Sequence, residues 1–195
     1  MGYVRNVILK AGYTVFAEMG FKQAGVRNIV DNCGISVGSF YKYFSSKEEL
    51  FIHLYLEENS DVLRDLALEV PRLEREGYAA WQIIEQLMGR LLKRFALNPI
   101  LREYYNRPQF EKIIAKLSPE LDRKYRHAVT SIWKPEFNRW QARGEIKNVS
   151  IEFVFSLVNS IALVISQAEY VSSPEQDFKE VQQFLVSAVS QHLRK

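Results

Sequence analysis

The segment Cys33–Leu50 reads CGISVGSFYKYFSSKEEL, and it decides the fold. Ser36 is a good helix cap, yet the helix it opens begins with Gly38 and Ser39, two weak helix formers. A helix built only for packing would carry Ala or Leu at such small positions. Upstream, the spacing predicts a short helix over Val26–Asn32 that buries Ile29, Val30 and Cys33 and stops at Gly34. The tight turn Cys33-Gly34-Ile35 and a helix from Ser36 to Tyr43 then complete a helix-turn-helix. The apolar pattern puts Val37, Phe40 and Phe44 inward and Gly38, Ser39, Tyr41, Lys42 and Tyr43 outward. In such a motif the first residues of the second helix enter the DNA major groove. Small side chains there let the backbone approach base edges. Ser39 can donate or accept a hydrogen bond, and Lys42 can donate to guanine acceptors. The tyrosine hydroxyls, Lys47 and the positive end of the following helix suit phosphates.

Outward from this segment the chain reads helical. A first helix runs from Tyr3 to Met19, with Val4, Ile8, Ala11, Val15 and Phe16 inward and Gly20 as a left-handed stop. Ser46-Lys-Glu-Glu49 spells a capping box for a long fourth helix. Asn98-Pro99, Ser118-Pro119 and Ser173-Pro174 mark further starts, each a capping residue followed by Pro at the first helical position. No alternating strand pattern, repeat or low-complexity run interrupts these signals. The fold class is all-α: a three-helix helix-turn-helix domain over residues 1–53, joined by the long helix to a helical bundle over residues 54–195.

The 195 residues are 47% hydrophobic and carry a net charge of +3. Residues 1–47 hold six basic and two acidic side chains, so the positive excess sits where the motif sits. That distribution favours a polyanion as partner for this part alone. The longest aliphatic run, Ile161–Ile165, is far short of the roughly 20 residues that span a bilayer. Glu18 breaks any signal-peptide core, and a single cysteine excludes an internal disulfide. The chain reads as cytoplasmic, with no membrane association. His53, His127 and His192 lack metal-ligand spacing, and no phosphate loop or nucleophile elbow is present. No catalytic residue, metal or cofactor is expected. The alternatives to a DNA-binding regulator are a helical adaptor that binds protein through the exposed Tyr41-Lys42-Tyr43, and a helical ligand-processing enzyme.

Gly20-Phe21, Val26-Arg-Asn-Ile29, Cys33-Gly-Ile-Ser36, Gly38-Ser-Phe-Tyr41, Tyr43-Phe44 and Ser46-Lys-Glu-Glu-Leu50 together resemble the N-terminal domain of the TetR/AcrR transcriptional regulators. The resemblance covers residues 4–55. It implies a homodimeric repressor that binds double-stranded operator DNA and is released by a small-molecule effector held in its C-terminal domain. It also implies that Arg27, Val37, Gly38, Ser39, Tyr41, Lys42, Tyr43 and Lys47 face DNA. Two departures stand out: Ala24-Gly25 replaces the usual Thr before the second helix, and position 37 is often polar in relatives. The effector pocket that the resemblance implies falls to the aromatics of the body, with Phe95, Tyr104, Tyr105, Phe110, Trp133 and Phe137 as candidates. The effector would be hydrophobic or aromatic.

Ile151–Ala168 is apolar nearly all round, which calls for burial on two sides. A following helix carries one clean stripe that includes Phe178, Val181, Phe184, Leu185, Ala188 and Val189. Two such helices packed against their symmetry mates make a four-helix dimer interface. Phe155, Val158, Ala162, Ile165, Val181, Phe184, Leu185 and Ala188 are its expected residues.

Overall fold

A computed structural model describes residues 2–105, 119–168 and 175–195. Its helices are α1 (Gly2–Gln23), α2 (Val26–Cys33), α3 (Val37–Phe40), α4 (Lys47–Arg75), α5 (Ala80–Leu97), α6 (Pro99–Tyr105), α7 (Pro119–Ala142), α8 (Ile151–Ala168) and α9 (Glu175–Leu193). No strand occurs among the described residues; Ile146 and Arg194 form a single antiparallel bridge. No described helix is long and apolar enough to cross a membrane.

The chain divides into two compact units. The first comprises Met1–Asn59 and Asn98–Asp122. It extends beyond the 1–53 expected from sequence and takes α6 from the body. Within it α1 packs on α2 and α6, and α2 packs on α3. Ile8, Ala11, Val15 and Phe16 are buried as the helical spacing requires, while Val4 is only half-buried. Gly12 brings α1 close to α4, because a Cβ there would lie 2.7 Å from Leu50 Cδ2. Phe16, Phe21 and Phe51 form a ring triangle with centroids 5.1–5.8 Å apart, an arrangement that adds to plain area burial. Gly20 does take positive φ (70°), but helical geometry resumes after it to Gln23, so it kinks α1 rather than ending it.

Helix starts follow the capping signals. Asn98 Oδ1 accepts from the N–H groups of Ile100 and Leu101 at 3.0 Å, which opens α6 at Pro99. Ser46 Oγ accepts from Glu49 N–H at 3.2 Å. The Glu49 carboxylate turns back one residue further than a capping box predicts, onto Ser45 N–H and Oγ at 2.6 Å each. Ser118, Ser173 and Pro174 lie outside the described residues. Pro71 and Pro135 stand inside α4 and α7, where each removes one backbone hydrogen bond without ending the helix.

The second unit comprises Ser60–Leu97 and Arg123–Lys195. Its interior is built from Leu63, Leu66, Val70 and Leu73 of α4, the buried face of α5, Val129, Trp133, Phe137 and Trp140 of α7, and Val154, Val158, Ile161 and Ala162 of α8. α9 packs on α5 and α8. Glu74 fixes α7 to α4: its carboxylate accepts from Trp140 Nε1 and Arg139 Nη2 at 2.9 Å. Burial would raise this carboxyl, but the hydrogen bonds from Trp140 and Arg139 and the charges of Arg139 and Arg143 outweigh it, and its pKa lies below the ordinary value. Gly144, in the left-handed conformation at φ 70°, follows the end of α7.

Candidate nucleic-acid interface

The turn between α2 and α3 forms because Gly34 accepts a left-handed conformation (φ 68°, ψ 31°) that other residues resist. Ile35 N–H then reaches back to the Val30 carbonyl at 3.2 Å, satisfying a carbonyl at the helix end. Gly25 stands at the N-cap of α2 with no side chain to offer; Asn28 Oδ1 accepts from its N–H at 2.9 Å instead. Cys33 is half-buried, and its Sγ donates to the Ile29 carbonyl at 3.2 Å.

α3 is shorter than its sequence signal. Its regular part spans only Val37–Phe40, and hydrogen-bonded turns carry the chain on to Phe44. Ser36 Oγ caps it by accepting from Ser39 N–H at 3.1 Å, and the two serine hydroxyls lie 2.9 Å apart. Phe40 and Phe44 are the buried anchors. Val37 is not one: it is 44% exposed, which corrects the inward placement taken from the apolar pattern. One turn of helix anchored at its far end leaves Val37 at the solvent-facing start. The outward set is otherwise as expected. Gly38, Tyr41, Lys42 and Arg27 are exposed, and Ser39 and Tyr43 are half-exposed.

Gly38 answers the question its weak helix propensity raises. It has no positive φ, and a Cβ built on it would meet nothing closer than Ser36 Oγ at 4.0 Å. Neither backbone conformation nor internal packing demands a glycine at this position.

Lys47 is placed differently from the expectation. Its Nζ donates to the carbonyls of Phe21 (2.8 Å) and Ala24 (2.7 Å) and lies 4.5 Å from the Phe21 ring centroid. Two of its three donors therefore close the end of α1, next to the cap position where Gly25 supplies no side chain. The N-terminus of α4 is likewise already compensated, by Ser46 and the first-turn carboxylates Glu48 and Glu49. Sequence reasoning missed this tie because it joins residues 23 and 26 positions apart.

Behind α3, Arg5 Nη2 lies 3.2 Å from His53 Nδ1, and its guanidinium sits 5.3 Å from the Phe44 ring centroid. His53 meets Phe44 edge to face at 5.7 Å. Burial, then the Arg5 charge, push the imidazole below its ordinary pKa, against a smaller opposing pull from Glu49. Nδ1 thus acts as an acceptor.

The ligand candidates do not form one group. Phe95, Trp133 and Phe137 are buried in the second unit. Tyr104 belongs to the first, stacked on Tyr55 with centroids 3.6 Å apart. Phe110 and the Tyr105 side chain lie outside the described residues. The dimerisation candidates also separate. Val158 and Ala162 are buried within their own unit, which corrects their assignment to a partner-facing surface. Phe155 and Leu185 are half-buried, Phe184 and Ala188 are exposed, and the side chains of Ile165 and Val181 lie outside the described residues.

A glycine-stopped helix, a three-residue turn and a short second helix over a buried aromatic pair define a helix-turn-helix protein. Residues 8–54 match the sequence profile of bacterial regulatory proteins of the tetR family. The HTH-type transcriptional regulator YerO of Bacillus subtilis, itself uncharacterized, is 26% identical over 151 residues, covering 73% of this chain and 51% of that protein. The transcriptional repressor KstR2 of Mycobacterium tuberculosis is 32% identical over 88 residues, covering 42% of this chain and 44% of its own. The chain spans about half the length of the curated relatives it matches. A TetR family regulator from Marinobacter aquaeolei shares the fold with a TM-score of 0.64 at 18% identity, covering 98% of this chain and 95% of the other. The regulator SCO0520 from Streptomyces coelicolor does so at 0.52 and 22% identity, over 97% and 98%. Residues 8–54 are thus similar to the DNA-binding domain of the tetR family of bacterial regulatory proteins, and the fold is shared with TetR family regulators.

Proposed function

We propose that this chain is a one-component repressor that binds a pseudo-palindromic operator as a homodimer. Residues 1–53 supply the DNA contacts, and residues 54–195 supply the effector site and the dimer interface. Arg27, Val37, Gly38, Ser39, Tyr41, Lys42 and Tyr43 face the duplex. Ser39 and Lys42 read base edges, Val37 offers an apolar contact to a thymine methyl, and the tyrosines position the backbone. Binding of a small apolar effector favours a dimer whose recognition helices no longer fit half-sites about 34–36 Å apart. KstR2 is named a repressor, which supports that direction of control.

The observation that carries this reading is Gly38, a glycine that the fold does not need, set at the exposed start of α3 among Val37, Tyr41 and Lys42. Close approach to a partner explains it. Selection of duplexes from a random pool by the full chain should return two-fold related half-sites. Gly38→Ala should then hold or raise stability by about 0.5–1 kcal/mol while weakening operator binding at least tenfold. Undiminished binding by Gly38→Ala would remove the basis of the proposal.

A further inference from the structure

Trp133 and Trp140 lie seven residues apart on the buried face of α7, and their indoles fare differently. Trp140 is fully buried and donates to Glu74. Trp133 is also buried, at 7% exposure, and its Nε1 has no hydrogen-bond partner among the described residues. An indole N–H is a donor only, and a buried donor left unmet forfeits its hydration without return. Native structures leave few such groups, and each calls for a cause. On the flanking turns of α7, Val129 and Phe137 offer no acceptor, and the Glu136 carboxylate is paired with Arg139.

A second observation concerns space. At one end of this unit the packing is sealed, with Leu73, Ala80, Ile83 and Trp140 at 0–1% exposure. Further along α5 and back along α7 it is not: Met88, Leu91, Leu92, Phe95, Val129, Trp133 and Phe137 each keep 5–7%. These large apolar side chains are thus less completely covered than those at the sealed end. Among the described residues of this unit, Ser190 is buried and already donates to the Ser187 carbonyl, while the buried Oε2 of Glu136 and Nε of Arg139 belong to two side chains that form an ion pair with each other. Lys134, next to Trp133 in sequence, is exposed to solvent, and Arg139, two turns along α7, is compensated by Glu74 and Glu136.

We infer that Trp133 is the hydrogen-bond donor of the effector site, and that the effector is an uncharged, mainly apolar molecule presenting a carbonyl-type acceptor to Nε1. This rests on the effector reading above and gives it a chemistry. A mostly apolar interior with one placed polar group is the usual form of a small-molecule site. A carboxylate or ammonium would enter it without a counter-charge, which is strongly unfavourable.

The test uses the full chain with 15N-labelled indoles and three probes: acetophenone, its near-isostere α-methylstyrene, which lacks the acceptor, and benzoate. Acetophenone should bind about tenfold tighter than α-methylstyrene, one hydrogen bond's worth, and should move the Trp133 indole proton downfield. Trp133→Phe should bind the two alike, and the indole shift in the unaltered chain reads the contact without any variant. Equal binding of both neutral probes to the unaltered chain would leave an apolar effector site standing and overturn the role of Trp133. Tighter binding of benzoate would overturn the uncharged class. Binding of neither neutral probe would overturn this inference together with the apolar effector on which it rests.

Discussion

Lys47 shows how a residue type suited to DNA is claimed by the fold. Its two hydrogen bonds to the carbonyls of Phe21 and Ala24 hold the end of α1 beside an N-cap that has no side chain. Charged hydrogen bonds contribute about 1.5–3 kcal/mol each when sheltered, and the half-exposure of Lys47 reduces that. Lys47→Met, which keeps the stem, should therefore lower the stability of the first unit by about 1–2 kcal/mol. The slope of operator affinity against salt should stay unchanged, because no phosphate contact is lost. Urea unfolding and a salt titration read the two effects separately. A slope reduced by one contact with stability intact would return Lys47 to the phosphate backbone. His53 supplies a second test at this scale. Its folded pKa is depressed, so the neutral ring is the folded form, and its contribution is fully present above the ordinary value of about 6.5. It is lost as pH falls below that value toward the folded pKa. Protonation removes the Nδ1 acceptor and sets a second cation beside Arg5 of α1, with only Glu49 to offset it. Urea midpoints of the first unit should fall as pH drops below about 6.5, and His53→Phe, which keeps a ring against Phe44, should flatten that decline. An unchanged pH profile in the variant would assign the decline to other groups.

Helix starts depend on local chemistry, and for that reason they are legible in the sequence. Ser36, Ser46 and Asn98 each accept the N–H bonds that their spacing predicts. Where an element ends, and which side it buries, depends on what packs against it. α3 keeps regular geometry for four residues because Phe40 and Phe44 fix its far end, so the length expected from composition overshoots. Gly20 carries the backbone conformation of a stop, yet the chain resumes its helix because Phe21 must reach the ring cluster with Phe16 and Phe51. On the recognition surface, Gly38, Tyr41 and Lys42 are legible as outward residues because a helix-turn-helix leaves that side uncovered. The inward placement of Val37 and the open ammonium assumed for Lys47 both fail for want of tertiary information. The cap of α3 offers an element-scale prediction. Ser36 Oγ accepts from the Ser39 N–H in the first turn of this short helix, so Ser36→Ala should lower stability by about 1 kcal/mol. It should also weaken binding to all duplex sequences alike, since it loosens the helix without removing a base contact. Altered sequence preference in a selection experiment would mean that Ser36 or its partner Ser39 reads a base through this pair.

For the whole molecule the open question is which apolar face is reserved for a second copy. Period alone leaves α8 with two apolar faces and no means of choosing between them. Burial chooses: Val154, Val158, Ile161 and Ala162 lie at 4–7% exposure inside the unit, while Phe153 and Val164 stand at 44% and 52%. Phe153, Leu157, Ser160 and Val164 form one stripe at helical spacing. On the neighbouring helix α9, Phe184 is 71% exposed. Burying a large apolar side chain contributes about 1.5–3 kcal/mol, so these residues favour association, with the rest of the interface supplied by their surroundings. The proposed dimer therefore uses this face, and the two sides of α8 should answer differently to a charge. Val158→Asp places an unpaired carboxylate in the interior and should unfold the second unit. Phe184→Asp places it in water in the isolated chain and against a partner only in the dimer. That variant should keep its helical content, sediment as a monomer, and lose the dependence of melting temperature on protein concentration that dimerisation imposes. Operator binding should fall with it, since a monomer engages one half-site at a time and forgoes the second, linked contact. An intact dimer for Phe184→Asp, sedimenting as the unaltered chain does, would place the interface elsewhere and leave the exposed stripe of α8 without a partner.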